Sequence, residues 1–135
     1  MSKSFGKISE VVLPETVKTC NADLTISECL QIMQKSATGC IVIVGPCGKK
    51  VSGIFTERDY IRKIASNAID IDISTVGEHM THNPVSLKES DEVVSALVKM
   101  RMGKFRHIVV VDDNKDLKSV LSIREISEHI IDNYL

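Results

Sequence analysis

Apolar positions along the chain fall into two successions of the same kind. After Thr25-Ile-Ser-Glu28, which has the form of a capping box, Ile26, Cys29, Leu30, Met33 and Ala37 recur at the spacing of one helical face. The β-branched run Cys40 to Val44, bounded by Gly45-Pro-Cys-Gly48, predicts a buried strand entering a hairpin, with Val51 to Phe55 as the return strand. A helix is expected to start near Thr56 to Asp59 with Tyr60, Ile61 and Ile64 inward. The second succession repeats this. Val93, Ala96, Leu97 and Met100 follow Ser90-Asp91 on one helical face, and His107 to Val111 is a strand that turns at Asp112-Asp-Asn-Lys115. Leu117 to Leu121 returns, and a last helix starts near Ser122 to Glu125 with Ile126, Ile130 and Ile131 inward. Short strands around Val17 to Cys20 and Val85 to Leu87 open the two units, so the reading is an α+β fold, β-α-β-β-α twice.

Sliding the chain against itself supports this directly. At an offset of 67, Leu30 falls on Leu97, Met33 on Met100, and Ile41, Val42 and Val44 on Ile108, Val109 and Val111. Beyond a one-residue slip the offset is 66, and Gly53-Ile-Phe-Thr-Glu-Arg-Asp59 falls on Ser119-Val-Leu-Ser-Ile-Arg-Glu125. The slip is placed around Gly45 to Gly48, where a turn absorbs a residue without disturbing strand register. The expected division is residues 1–67 with an N-terminal lead-in and residues 68–135 with the connector Asn67 to Ser74, Val76 to Met80 being a short lead-in turn. Neither half buries enough apolar surface to stand comfortably alone, so the two are expected to pack as a pseudo-twofold pair, with small mixed sheets covered by helices.

Composition removes several classes of function. The chain has 135 residues, 43% of them hydrophobic and 26% charged, and a formal net charge of -1, so it lacks the global field that drives unspecific binding to nucleic acid or anionic membrane. Its aromatics are Phe5, Phe55, Phe105, Tyr60 and Tyr134, with no Trp, too few for a stacking platform. Neither nucleic acid nor membrane is expected as a partner. No apolar run approaches the ~20 residues of a bilayer span, and the first residues lack the apolar run of a secretory signal, which predicts a cytoplasmic location. Cys20, Cys29, Cys40 and Cys47 form no CxxC pair and are expected to be reduced and mostly structural.

Chemistry concentrates in one segment. In Gly53 to Asp59 a strand ends in a hydroxyl residue that opens a helix, Arg58 adds a cation, and Asp59 is an acceptor suited to the vicinal hydroxyls of a ribose. On spacing alone, a helix cap formed by Thr56 with a first-turn carboxylate is the favoured reading. His79 and His82 are three apart with no third ligand, so no metal site is expected. Met33, Met80, Met100 and Met102 are taken as core and interface filler. Cys40 and Cys47 flank the hairpin without a feature that would activate a thiol. No catalytic triad, P-loop or carboxylate pair occurs, and no enzyme is expected.

Gly53-Ile-Phe-Thr-Glu-Arg-Asp59, Thr25-Ile-Ser-Glu-Cys-Leu30, Met80-Thr-His-Asn-Pro-Val85 and Phe105-Arg-His-Ile-Val-Val-Val-Asp112 resemble the CBS motif. From about Ile8 to Ile131 the tandem resembles a stand-alone CBS-domain pair, or Bateman module, because no residues remain for a catalytic barrel or a membrane part. The resemblance implies clefts between the motifs for adenosine-containing ligands such as AMP, ADP, ATP or S-adenosylmethionine. Thr56 would meet the phosphate, Asp59 the ribose, and Arg58 would lie alongside. Lys18, Thr19, Cys20 and Ala22, with Gly39, Cys40, Ile41 and Val42, would wall the base, and Arg106 and His107 would reach the phosphates. The second copy departs from the pattern with Ser119, Ser122 and Glu125, so one good site and one weak or empty one are expected. Residues 1–67 carry nine basic and six acidic side chains against eight and twelve in 68–135, an asymmetry of the same sign.

The implied function is a homodimeric regulatory module that senses an adenine nucleotide, in the manner of energy sensing, and transmits binding to an unidentified regulated protein by conformational change. No cofactor is required for that role. The alternative is a ligand-free dimeric interaction adaptor; redox chemistry through Cys40 or Cys47 ranks last.

Overall fold

The two β-branched runs become the central strands of two separate sheets. In the first, β1 (Thr19–Cys20) lies parallel to β2 (Cys40–Val44), β2 pairs antiparallel with β3 (Val51–Thr56), and a further strand, Thr81–His82, pairs antiparallel with β3 as β4. In the second, β5 (Ser86–Lys88) is parallel to β6 (His107–Val111), which is antiparallel to β7 (Leu117–Ser122). The computed structural model describes residues 5–135; Met1 to Ser4, part of the N-terminal stretch read above for a secretory signal, lie outside the described residues. Each hairpin carries its irregularity at the equivalent place, Ser52 being passed over in β3 and Lys118 in β7. The connecting loop is 45–50 in one copy and 112–116 in the other, so the one-residue slip of the repeat does lie in the turn.

Helix α1 (Ile26–Ser36) opens on the expected capping box, with the Glu28 amide donating to Thr25 Oγ1 at 3.2 Å and Glu28 Oε1 accepting from the Thr25 amide at 3.2 Å. It ends at Ala37, which is the left-handed C-cap and not part of the buried face. After β3, α2 (Glu57–Asp59) continues through a π turn over Tyr60–Ile64 and a 3₁₀ turn over Ala65–Asn67. Val76–His79, read as a turn, is the short helix α3, and the second copy supplies α4 (Val93–Gly103) and α5 (Ile123–Tyr134).

Two inward assignments are corrected. Ile61 is 63% exposed and Ile131 59% exposed. Tyr60 and Ile64, four apart, already line the inward face after β3, and Ile61 falls a third of a turn away from it. In α5 the face is Ile126, His129 and Ile130, which leaves Ile131 outside. Met33, Met80 and Met100 are buried as expected, whereas Met102 is exposed.

The described residues form two compact units whose boundaries are not those of the sequence halves: one comprises 17–84, the other 5–16 together with 85–135. In the first, Ile26 N donates to Ser74 O (3.0 Å), Val76 N to Leu24 O (2.8 Å) and Gly77 N to Ala22 O (3.0 Å). In the other, Val93 N donates to Gly6 O (2.9 Å), Ile8 N to Asp91 O (2.9 Å) and Ser9 N to Glu89 O (2.9 Å). The two patterns superpose on the repeat. Each lead-in therefore docks on the body of the other copy, and its aliphatic plug, Val76 or Ile8, is fully buried there. The connector belongs with the first body for the same reason: Ser27 N donates to Ile71 O, and Ile69 and Ile71 pack on that core.

The sheets differ where the two lead-ins differ. Met80 and Thr81 run against β3 so closely that a Cβ on Gly53 would stand 2.5 Å from Met80 Sδ and 2.8 Å from Thr81 O. The equivalent residue in β7, Ser119, instead donates its hydroxyl to Pro14 O at 3.1 Å, and Pro14 has no N–H with which to extend a ladder.

Two stability tests follow from this packing. Ile8→Ala should lower the free energy of unfolding by about 2–5 kcal/mol in urea titration, because it empties a buried aliphatic position. Gly53→Ala should cost about 1–3 kcal/mol through overpacking against Met80 and Thr81.

Candidate functional site

Strand β3 delivers Thr56 at the end of a buried run, with Gly53, Ile54 and Phe55 inside. Register places Cys40 opposite Thr56, and Glu57 N donates to Gly39 O at 3.0 Å, so Gly39 to Val42 and Thr56 to Asp59 meet at one end of the sheet. β1 flanks them: Thr19 is opposite Val42, Cys20 opposite Ile43, and Val42 N donates to Lys18 O at 3.0 Å. These three expected segments are thus brought together within one unit. Their side chains do not all face alike. Cys20, Ala22 and Ile41 pack with the core, whereas Lys18 and Thr19 are exposed, and Cys40 and Val42 are buried outside the main core cluster.

Thr56 and Asp59 cap each other. The Asp59 amide donates to Thr56 Oγ1 at 3.1 Å, and Asp59 Oδ2 accepts from the Thr56 amide at 3.0 Å. Asp59 Oδ1 lies 3.6 Å from Lys63 Nζ, which also donates to His79 O and to Thr81 Oγ1, both at 3.2 Å. Among the described residues no acceptor takes the Thr56 hydroxyl proton. Arg58 is half-buried beside them.

In the other unit the same position is closed. Ser122 stands opposite His107, and Ile123 N donates to Arg106 O at 3.0 Å, repeating the contact between Glu57 and Gly39. Glu125, one methylene longer than Asp59, reaches the hydroxyl itself: Ser122 Oγ donates to Glu125 Oε2 at 2.7 Å and Ser122 N to Oε1 at 2.8 Å. Both carboxylate oxygens and the hydroxyl proton are engaged. Arg106, His107, Ser122 and Glu125 therefore form the counterpart set in this unit, with Arg106 exposed and His107 half-buried.

His79 closes α3 and His82 lies in β4, and among the described residues no group of three or more His, Cys, Asp or Glu is placed to hold a metal ion. Nor, among them, is any helix long and apolar enough to cross a membrane. A hollow of about 420 Å³ lies over the C-terminal half of α1, lined by Leu30, Met33, Gln34, Ala37 and Thr38; from the Thr56 to Asp59 neighbourhood it takes only Glu57. One contact had no signal in the sequence. Cys20 Sγ lies 3.9 Å from Cys29 Sγ, both residues packing in the same core across the turn that holds Asp23 N on Asn21 Oδ1. The hydrogen bond between the two thiols lowers the Cys20 pKa, while that bond and burial push Cys29 up.

Known proteins share this sequence pattern and fold. The family model described as "CBS domain" matches residues 8–66 and 76–132. An uncharacterized 17.7 kDa protein of Acidianus ambivalens is 33% identical over 126 residues, covering 93% of this chain and 74% of that protein. A CBS domain protein of Pyrobaculum aerophilum, solved in complex with AMP, has a TM-score of 0.79 and 29% identity over 88% of either chain. A CBS-domain pair solved with 5′-methylthioadenosine and S-adenosylmethionine has a TM-score of 0.76 and 27% identity over 86% of this chain and 92% of that one. Several other curated relatives are longer; the chain spans 22% of two Arabidopsis thaliana proteins and 55% of a third.

The reciprocal cap is itself testable. Thr56→Ala should cost about 0.5–2 kcal/mol of stability in urea titration, the usual loss for an N-cap hydroxyl, whereas Thr56→Ser should be close to neutral.

Proposed function

The chain belongs to the CBS domain family, and from that premise we propose that it is a regulatory module that binds an adenosine-containing ligand at the Thr56 to Asp59 segment and passes the bound state to a partner protein. The observation that carries the reading is the contrast between the two copies. Thr56 keeps a hydroxyl proton to donate to a phosphate oxygen, and Asp59 offers a carboxylate to ribose hydroxyls beside Arg58 and Lys63. The Ser122 hydroxyl and the Glu125 carboxylate are spent on each other.

Support for the ligand class comes from the relatives solved with AMP and with S-adenosylmethionine and 5′-methylthioadenosine, which share adenosine and differ in what hangs from the ribose. In this reading Lys18, Thr19, Gly39, Cys40 and Val42 contribute the wall around the base, chiefly through backbone. No chemical step is assigned to the segment. Regulation requires only that the ligand bind one arrangement of the protein better than another, and the shift cannot exceed that difference in affinity.

A thermal-shift panel of AMP, ATP, S-adenosylmethionine and GTP tests this, since ligand at ~100 times its dissociation constant adds about 2.7 kcal/mol to stability. At least one adenosine compound should raise the melting temperature and GTP should not. Asp59→Ala should weaken that compound at least tenfold, about 1.4 kcal/mol, with the unliganded protein still folded, while Glu125→Ala leaves the affinity unchanged. A flat panel up to millimolar ligand overturns the reading and leaves the protein–protein adaptor.

A further inference from the structure

The cysteine pair at the corner between β1 and α1 has no part in the ligand reading. Cys20, at the last position of β1, is half-buried; Cys29, in the first turn of α1, is fully buried; and their sulfurs touch at 3.9 Å. A disulfide needs the sulfurs at about 2.05 Å, so oxidation has to close the remaining gap by side-chain rotation together with any shift of the two-residue strand. The five residues between β1 and α1 form a tight turn, with Asp23 N on Asn21 Oδ1 at 2.9 Å, and this turn holds the two thiols together before any oxidation.

We propose that Cys20 and Cys29 form an oxidative modification site, converted by hydrogen peroxide into an intramolecular disulfide that ties the end of β1 to the start of α1. The Cys20 thiolate attacks one peroxide oxygen; the S–O bond forms, the O–O bond breaks, and hydroxide leaves to be protonated to water. Cys29 sulfur then attacks the Cys20 sulfenic acid, its proton goes to the departing oxygen, and the S–S bond forms as the S–O bond breaks with loss of a second water. Two thiols are oxidised by two electrons in all, and one peroxide is reduced to two waters. The roles follow from the environment. Cys20 is the less buried residue of the two, and the hydrogen bond with Cys29 lowers its thiol pKa; Cys29 is fully buried, and that contact together with burial holds it protonated.

The sequence makes the test direct. No Lys or Arg lies between Lys18 and Lys35, so one tryptic peptide, Thr19 to Lys35, holds both thiols, and Asp23 separates them. The reduced full chain is treated with hydrogen peroxide, unfolded, and blocked with N-ethylmaleimide. The expected peptide carries no maleimide and weighs about 2 Da less than the dithiol, and cleavage before Asp23 leaves two fragments joined until a reductant is added. In Cys29→Ala, the Cys20 sulfenic acid should persist and take up dimedone roughly fivefold more than in the unsubstituted protein. A peptide bearing two maleimides, or Cys20 sulfinic acid beside an alkylated Cys29, in a sample where exposed Cys47 has been oxidised, would overturn the proposal. The wild-type peptide decides the matter even if Cys29→Ala does not fold. Nucleotide is absent throughout, so the outcome is separate from that of the ligand panel.

Discussion

Each unit depends on a backbone slot that its own stretch of sequence leaves open. In residues 22–26 and again in 89–93, the chain between the parallel strand and the first helix presents N–H and C=O groups that would go unpaired inside a packed domain. The slots are filled by 74–77 and by 6–9 through matching hydrogen bonds, and each filling segment drives one aliphatic residue, Val76 or Ile8, into the core. A body of about 60 residues is short of buried apolar surface, so an extra plug matters to it more than to a larger domain. Everything nearer the site inherits this arrangement, because α1 starts on these hydrogen bonds and β4 follows directly from the docked segment.

One position carries the link between the docked lead-in and the candidate site. Four residues beyond the motif carboxylate, the first copy has Lys63, which reaches Asp59 on one side and His79 O and Thr81 Oγ1 on the other. The second copy has His129 there, and its Nε2–H donates to Phe5 O at 2.8 Å while Nδ1 accepts from Asn133. Both side chains secure the lead-in, but only the lysine also places a positive charge against the carboxylate. The Phe5 ring further rests edge-on against Tyr134, with centroids 5.4 Å apart. The two copies have thus kept the same fastening while diverging in the chemistry beside it.

That divergence comes down to small differences in reach. A single methylene lets Glu125 fold onto the Ser122 hydroxyl, where Asp59 accepts from the Thr56 amide and faces Lys63 instead. A single missing N–H, at Pro14, replaces a fourth strand by one hydroxyl bond from Ser119, and at the matching place Gly53 must remain without a side chain because β4 is there. The substitutions Gly to Ser, Thr to Ser and Asp to Glu look conservative one at a time. Together they separate a segment whose threonine hydroxyl takes no acceptor among the described residues from one whose serine hydroxyl is bonded to its own carboxylate.

The sequence by itself determined the elements whose causes are local: the capping box at Thr25, both five-residue central strands, the hairpin turns, the place of the one-residue slip, and the repeat that pointed to the family. These rest on interactions within a few residues or on an apolar period, which a linear reading can count. It also brought Thr56 and Asp59 forward as a pair, although not the difference that Glu125 makes at the second copy's hydroxyl. Only the tertiary structure decided which lead-in serves which body, since Ile8 and Val76 are equally aliphatic and each opens a short helical turn. It decided too that Cys20 and Cys29 touch, that Ile61 and Ile131 face outward, and that Cys20, Ala22 and Ile41 turn to the core instead of sharing one wall. Each of these depends on where a segment distant in sequence comes to rest, or on a fraction of a helical turn, and neither quantity is carried by the order of residues along the chain.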